Sequence, residues 1–216
     1  MEVYQIGGLG YDSNIYLINT EKPVLIDTGT GFNTSGTLKE IKRILKNNPI
    51  QIILLTHMHY DHVGGAKKIA ETHKARVCAY GNDAEMLIRG DSTSTCARDF
   101  GNSLEKMNIS LLSNDSIIDC GNAKLRVIHT PGHTSGSVSF YEPNTKSLFS
   151  GDTVFADGGV GRWDLATGDY SALSMSVSKL LKLGAAHLYP GHGPYIIDVA
   201  QEHIKMAMSN LQNDLL

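Results

Sequence analysis

Residues 57–62 read HMHYDH and follow the apolar, strand-like run IILL and one threonine. Side chains two apart in an extended chain project to the same side, so His57 and His59 can reach one metal ion together. Asp61 and His62 lie past the bend and can face a second ion. Imidazole and carboxylate are ligands that zinc, iron and manganese accept, so the stretch predicts a metal site at the end of a buried strand. Ordinary loop or capping histidines are the alternative, but they would crowd together with no ion to organise them.

Three further segments place a histidine or an aspartate at the end of an apolar strand. His133 stands in HTPGHTSGS, where a Pro-Gly pair turns the chain sharply. Asp152 follows LFSG, and a carboxylate there can bridge two cations through its two oxygens. His192 stands in YPGHG, again behind a strand and a Pro-Gly turn. Any one of these alone is more often a turn residue, but together with residues 57–62 they complete two coordination spheres.

The segments around the first motif alternate between strands and helices. The runs EVYQI, NIYLI and VLIDTGTG are rich in β-branched residues and separated by glycine turns, which predicts three strands. Apolar residues of LKEIKRILK repeat at helical spacing. A further helix is predicted from near His62 through GGAKKIAETHK, followed by a strand at ARVCAY. This strand, helix, strand order implies parallel neighbours joined by a crossover.

The second half of the chain repeats this style. KLRVIHT, SVSFYE, SLFSGDT and AAHLYP predict strands, YSALSMSVSKLLKL predicts a helix, and a last helix is expected over about 199–211. Residues 81–116 differ, because a short helical stretch, DAEMLIR, is followed by polar, turn-prone residues. We expect this segment to be an insertion that covers the pocket rather than part of the core.

Length, charge and cysteine content narrow the class of protein. A chain of 216 residues is short for two domains, so we predict a single domain over residues 1–216. A net charge of -3 and a pI near 6.3 make nucleic acid an unexpected partner. We expect neither a signal peptide nor a membrane partner, because no charged leader or long apolar run is present. Three cysteines without CxxC spacing predict free thiols and a cytoplasmic location, while the oligomeric state is left open.

At this point a family resemblance is visible in the order of the motifs. VLIDTG, THMHYDHVGG, TPGHTSGS, SGDTVFADGGVGR and YPGHG occur in the order typical of the metallo-β-lactamase superfamily. Within that superfamily the chain most resembles the glyoxalase II group of hydroxyacyl-thioester hydrolases, over essentially its whole length. The resemblance implies an α/β fold, a four-layer αββα sandwich with the metals at one edge of the paired sheets.

The resemblance also assigns the ligands of two divalent metal ions. It gives His57, His59 and His133 to the first ion, Asp61, His62 and His192 to the second, and Asp152 to both. Asp27 would orient the metal-binding loop rather than bind an ion. Zinc is the expected metal, with iron or manganese as alternatives.

The predicted reaction follows from the charge of these ions. Two divalent cations about 3.5 Å apart would lower the pKa of a bridging water, so that hydroxide is available to attack an acyl carbon. Asp61 is the predicted catalytic residue, placed both to ligate an ion and to orient the nucleophile. We therefore predict a metal-dependent hydrolase.

The predicted substrate is a small acyl thioester. The stretch GDTVFADGGVGRWDLATGD resembles the corresponding segment of glyoxalase II-like proteins, which favours S-lactoylglutathione or another acyl thiol. The chain ends soon after its last predicted helix, so we expect it to lack the C-terminal helical region that supplies much of the glutathione contact in longer members. A different thiol or a broader substrate range therefore stays open. Arg162 either holds a substrate carboxylate or forms a structural ion pair.

Other activities of the same fold remain as alternatives. A persulfide dioxygenase would use a single iron held by His57, His133 and Asp152, and a lactonase or other ester hydrolase would use both ions. The presence of a complete second ligand set favours hydrolysis. RNA processing fits poorly with the acidic balance, and the flavodiiron oxygen reductases have glutamate where this chain has His59. A non-catalytic metal or binding module is the remaining class.

Overall fold

The computed structural model describes residues 1–46 and 48–213, so residues 47 and 214–216 of the predicted domain lie outside the described residues. The strands are β1 (Glu2–Gln5), β2 (Tyr16–Asn19), β3 (Val24–Ile26), β4 (Ile52–Leu54), β5 (Arg76–Tyr80), β6 (Ile109–Leu112), β7 (Ile117–Asp119), β8 (Lys124–His129), β9 (Val138–Glu142), β10 (Ser147–Gly151) and β11 (His187–Pro190). The α-helices are α1 (Thr34–Leu45), α2 (Tyr60–Val63), α3 (Ala66–His73), α4 (Gly81–Arg89), α5 (Tyr170–Leu181) and α6 (Ala200–Asn213).

The strands form two sheets of mixed direction. The first sheet has the order β1-β2-β3-β4-β5-β6, in which β3 to β6 are parallel to one another. The crossovers between these parallel strands contain α1, the α2 and α3 pair, and α4, as the alternating sequence pattern predicts. The second sheet has the order β11-β10-β9-β8-β7 and is antiparallel except for the β10 and β11 pair.

Alternate residues of the central strands face different hydrophobic cores. In β3, Val24 and Ile26 pack between the two sheets, whereas Leu25 packs beneath α1 and α3. Strand β4 repeats this pattern because successive side chains of a strand point to opposite faces. A third core joins the outer face of the second sheet to α5 and α6. The resulting order of layers, helices, sheet, sheet and helices, confirms the predicted αββα sandwich.

The segment at 81–116 is divided between framework and loop. Helix α4 buries Ala84 and Leu87 in the core of the first sheet, and β6 extends that sheet parallel to β5. This differs from the expectation that the whole segment lies outside the core, because α4 and β6 complete a further strand, helix, strand unit. Between them a short 3-10 helix at Ala97–Phe100 approaches the edge of the sandwich where β4 ends.

The helices of this fold are short. Among the described residues α6 is the longest, with 14 residues, which corresponds to about 21 Å at 1.5 Å per residue. The hydrocarbon core of a bilayer is about 30 Å thick. In the described part of the chain, no helix combines the length and the apolar character that a membrane crossing needs.

Phe140 tests the packing between the sheets. This side chain of β9 is fully buried in the core that both sheets share. Replacing Phe140 by alanine is expected to lower the free energy of unfolding by about 3 to 5 kcal/mol, because it removes buried apolar surface and leaves a cavity. Urea unfolding followed by circular dichroism measures this. The control Ile117→Ala, at a half-exposed edge position, should cost much less, and equal losses would contradict the assignment of this core.

Candidate metal centre

The loops that follow several strands meet at one edge of the sandwich. In the first sheet β3 and β4 run parallel, so Asp27 and residues 56–62 follow neighbouring carboxyl ends. In the second sheet β8 and β10 are both antiparallel to β9, and β11 is parallel to β10, so their carboxyl ends also lie together. A hydrogen bond from the Val138 amide to the Thr56 carbonyl (2.8 Å) joins the two sheets beside the first motif.

The structure brings all seven predicted ligands together at this edge. His57, His59 and His133 form a first triad, Asp61, His62 and His192 form a second triad, and Asp152 groups with His57 and His62, with the ligand atoms of each group within 4.8 Å of one another. Asp152 Oδ2 lies 3.6 Å from His133 Nε2 and 3.6 Å from His192 Nε2, and Oδ1 lies 3.3 Å from His62 Nε2. One carboxylate therefore faces both triads, as a bridging ligand must.

The donor atoms fit divalent metal ions better than they fit one another. His57 Nε2 and Asp152 Oδ1 are buried without a hydrogen-bond partner, and His59 Nδ1 and His133 Nε2 converge to 2.8 Å. A methyl group at Gly191 would lie 2.0 Å from Asp152 Oδ1, so this close approach requires glycine. Converging imidazole nitrogens and a carboxylate form the donor set of zinc, iron and manganese sites. These residues can therefore hold divalent metal.

Contacts behind the ligands fix which nitrogen of three of the rings points into the site. The outer Nδ1 of His57 lies 3.1 Å from Thr56 Oγ1, and His133 Nδ1 donates to the Arg162 carbonyl at 2.7 Å. His62 Nδ1 lies 2.8 Å from Asp27 Oδ2. The Asp27 carboxylate also accepts hydrogen bonds from the amide and the hydroxyl of Thr56 (2.8 and 2.7 Å). Asp27 thus orients the loop, the role that the resemblance gave it.

Burial sets the charge of the first triad. Burial lowers the pKa of His57 and His133, and it lowers the pKa of His59 to about 3, with neighbouring imidazoles acting in the same direction. These three rings are neutral at pH 7, the form in which imidazole binds metal.

Charged neighbours outweigh burial in setting the charge of His62, Asp61 and Asp152. Burial would lower the pKa of His62, but Asp152, Asp27 and Asp61 around it raise that pKa well above its ordinary value. Burial likewise opposes ionisation of Asp61 and Asp152, yet the nearby imidazoles hold the pKa of both carboxyl groups below the usual range. Both carboxylates are therefore ionised at neutral pH and available as ligands.

Residues 13 and 14 hold the loops of the second triad. The Ser13 amide donates to the Asp61 carbonyl at 3.1 Å. The Asn14 amide donates to the Gly191 carbonyl at 2.7 Å, and the Asn14 side chain donates to the carbonyls of Pro190 and Gly193 (3.0 and 2.8 Å). The YPGHG turn is thereby fastened to the start of β2, and its histidine is directed to the centre.

A cavity of about 410 Å³ opens onto the ligands of both triads. Its apolar walls include Phe100, Phe155 and Leu165, which the sequence did not single out. Phe100 belongs to the short helix that reaches this edge from the 81–116 segment. Arg162 also lines the cavity, but its guanidinium forms two hydrogen bonds of 2.7 Å with the carboxylate of Asp164. The structure thus contains the ion pair that was one of the two interpretations of Arg162.

The imidazole and carboxylate side chains gathered at one edge of this four-layer αββα sandwich define the site of a metal-binding protein. The chain belongs to the metallo-beta-lactamase superfamily, whose family model matches residues 8–192. This range contains all seven predicted ligands, and the predicted family is confirmed.

Similar proteins include hydrolases of thioesters. A probable metallo-hydrolase of Methanocaldococcus jannaschii is 36% identical over 198 residues, which cover 88% of this chain and 92% of that protein. The human acyl-coenzyme A thioesterase MBLAC2 is 30% identical over 213 residues, with 85% of this chain and 74% of that protein covered. Hydroxyacylglutathione hydrolase GloC of Haemophilus influenzae is 32% identical over 155 residues, covering 68% and 70%. The resemblance to glyoxalase II-like proteins is therefore confirmed.

Two crystal structures have the same fold at comparable identity. The BLEG-1 B3 metallo-beta-lactamase superposes with a TM-score of 0.79 at 31% identity, covering 93% of this chain and 96% of that chain. TTHA1623 in a di-iron-bound form superposes with a TM-score of 0.76 at 30% identity and covers 100% of both chains.

The metal-free protein is expected to lose stability as the pH falls from 6.5 to 5. His57, His59 and His133 have lowered pKa values in the folded chain, so the unfolded chain, with histidine pKa values near 6.5, binds more protons over this interval. His62 and Asp83, whose pKa values are raised, the latter to about 6, act in the opposite direction, but His62 does so mainly above pH 6.5 and one carboxyl group does not offset three imidazoles. Urea unfolding at both pH values measures the effect, and His59→Gln should flatten it. A stability that rises toward pH 5 would contradict this balance.

Asp152 tests the shared carboxylate. Replacing Asp152 by alanine is expected to reduce the bound metal per chain sharply, because both triads lose the group that lies between them. Metal content by mass spectrometry and far-UV circular dichroism would be measured together, and the spectrum should stay that of the parent protein. Asp119→Ala, which removes an exposed partner of Lys22, is the matched control and should keep full metal content. Unchanged metal in the Asp152 variant would refute the shared role.

Proposed function

We propose that the protein is a hydrolase with two divalent metal ions that cleaves a small acyl thioester of the hydroxyacylglutathione type. The observation that carries this proposal is the convergence of two complete ligand triads on one carboxylate, Asp152, beside an open cavity. The thioesterase and hydroxyacylglutathione hydrolase among the similar proteins support the choice of thioester. We propose zinc as the metal, with iron or manganese as alternatives, and the di-iron form of one similar structure supports testing iron.

Asp61 is the residue that we propose to handle the attacking water. Its Oδ2 atom lies 3.1 Å from His192 Nε2 and 3.7 Å from His62 Nε2, and the residue lines the cavity. Because Asp61 is ionised at neutral pH, it can accept a hydrogen bond from a water molecule. This contact can orient the water so that a lone pair of its oxygen points toward an acyl carbon. When bound, divalent cations would lower the pKa of a water molecule, and their positive charge would stabilise a developing oxyanion.

The cavity walls support binding of an acyl group. Phe100, Phe155 and Leu165 offer apolar surface next to the ligands, which can pack the acyl chain and exclude bulk water. The Arg162 guanidinium at this wall is paired with the Asp164 carboxylate, so this arginine is engaged within the protein and is not needed to hold a substrate carboxylate.

The second triad favours hydrolysis over oxygen chemistry at a single iron. A persulfide dioxygenase of the predicted kind needs only His57, His133 and Asp152. In this chain Asp61, His62 and His192 also converge, with His62 Nε2 and His192 Nε2 3.3 Å apart. These three further donors can hold a second ion, which supports the two-ion proposal.

The surroundings of the enzyme form part of the proposal. Cys78, Cys96 and Cys120 are free thiols, which fits the reducing cytoplasm. The net charge of -3 supports a small-molecule substrate rather than nucleic acid.

Reconstitution and turnover together test the proposed activity. Metal-free protein would be loaded with zinc, iron or manganese and assayed with S-lactoylglutathione, acyl-coenzyme A, a lactone, a β-lactam and a persulfide under an oxygen electrode. We expect two ions per chain, release of free thiol from a thioester, loss of turnover with chelator and recovery on adding metal. One iron per chain with oxygen uptake on persulfide would replace this proposal, and selective β-lactam or lactone cleavage would replace the thioester.

Asp61 provides the matching variant test. Asn at position 61 keeps the size of the side chain but removes its charge, so thioester turnover is expected to fall by about 10²-fold to 10⁴-fold, the usual range for a lost acid or base group. Thiol release under saturating substrate measures kcat. The control Asp157→Asn alters an aspartate whose side chain is 89% exposed and should keep parental turnover. Equal turnover in both variants would remove Asp61 from the catalytic role.

A further inference from the structure

Asp83 is a buried carboxylate outside both triads. It lies in the first turn of α4, directly after β5, and its side chain accepts three hydrogen bonds. Its Oδ2 atom accepts from the Met58 amide (2.9 Å) and the Thr134 hydroxyl (2.6 Å), and Oδ1 accepts from the Gly136 amide (2.8 Å). Among the described residues it has no salt-bridge partner, so donors alone hold it in the protein.

The three donors belong to the two loops that carry the first triad. Met58 separates His57 from His59 in the loop after β4 of the first sheet. Thr134 directly follows His133 in the loop after β8 of the second sheet, and Gly136 ends the same turn. One carboxylate therefore ties together the two loops that must bring three imidazoles to a single ion.

The three donors around Asp83 require two acceptor oxygens at close range. A methyl group at Gly136 would lie 2.4 Å from Asp83 Oδ1, so the turn can approach this oxygen only with glycine. The Ser137 hydroxyl, 2.7 Å from Thr134 Oγ1, completes the turn. An asparagine at position 83 would direct an amide NH₂ at one of the three donors, which leaves that donor unpaired.

The second triad is held by different residues. Asp27 contacts His62, and Ser13 and Asn14 fasten the loops of Asp61 and His192. The hydrogen bonds of Asp83 reach none of these groups. A change at Asp83 should therefore affect one ion and spare the other.

We propose that Asp83 is a positioning residue that sets the spacing of His57, His59 and His133 and thereby the affinity of the first ion. This inference rests on the two-ion centre of the proposed function and is independent of the substrate. Asp83 is ionised at the pH of the test, because burial raises its pKa only to about 6.

Cobalt titration of Asp83→Asn tests this positioning role. Metal-free protein at pH 7.5 would be titrated with Co²⁺ alone, and the visible absorption of the bound ion gives the two affinities. We expect the first ion to bind about 10-fold to 100-fold more weakly than in the parent protein, as when other supporting partners of metal ligands are removed, with the second affinity unchanged. A His192→Ala background isolates the first ion, and the weakening should persist there.

Glu142→Gln is a matched control. Glu142 is equally buried and accepts hydrogen bonds from two amides and one threonine hydroxyl, but it is the last residue of β9, beside the turn to β10 and away from the ligand loops. This variant should lose stability without losing affinity for Co²⁺. Equal loss of affinity in both variants would show a general effect of destabilisation and overturn the proposal.

A milder variant keeps the test decisive if Asp83→Asn does not fold. Thr134→Val removes one donor to Asp83 at nearly constant volume and is expected to weaken the first ion several-fold. Parental affinity in every folded variant, or a loss confined to the second ion, would overturn the positioning role. Parental protein that binds two Co²⁺ ions but cleaves no thioester would instead refute the proposed substrate and leave the role of Asp83 intact.

Discussion

The structure depends on one electrostatic constraint, the close packing of imidazole rings that cannot all be charged. The ring centroids of His57 and His62 lie 4.0 Å apart, and those of His59 and His133 lie 4.6 Å apart. Burial keeps most of these rings neutral, so their inner nitrogens present lone pairs to a common space. A cation in that space would give these lone pairs a common partner, and the surrounding loops hold the rings in this arrangement.

The sequence predicts the parts of this arrangement that are encoded locally. The HMHYDH stretch follows a buried strand, and alternation and strand order are sufficient to indicate the paired sheets once the family resemblance is included. The isolated candidate ligands His133, Asp152 and His192 are recognisable because each follows an apolar strand, His133 and His192 after a Pro-Gly turn and Asp152 directly. The role of Asp27 is implied by the family resemblance and not by a local pattern.

Other parts are beyond local patterns because they depend on contacts between distant segments. Residues 91–108, between α4 and β6, are polar. The sequence therefore gives no sign that α4 packs on the first sheet and that β6 extends it. The role of Asp83 arises only when Met58 and Gly136, 25 and 53 residues away, fold against it. The available signal was a polar residue just after a buried parallel strand, next to the strand that precedes HMHYDH. The apolar walls of the cavity come from separate loops and have no common pattern.

Each triad takes ligands from both sheets of the sandwich. His57 and His59 follow a strand of the first sheet whereas His133 follows a strand of the second, and the second triad is divided in the same way. A bound ion would thus act as a cross-link between the two sheets. Neither half could carry a working site when separated from the other, so any separation of the sheets would release the metal, and metal affinity would report directly on how well the halves are joined.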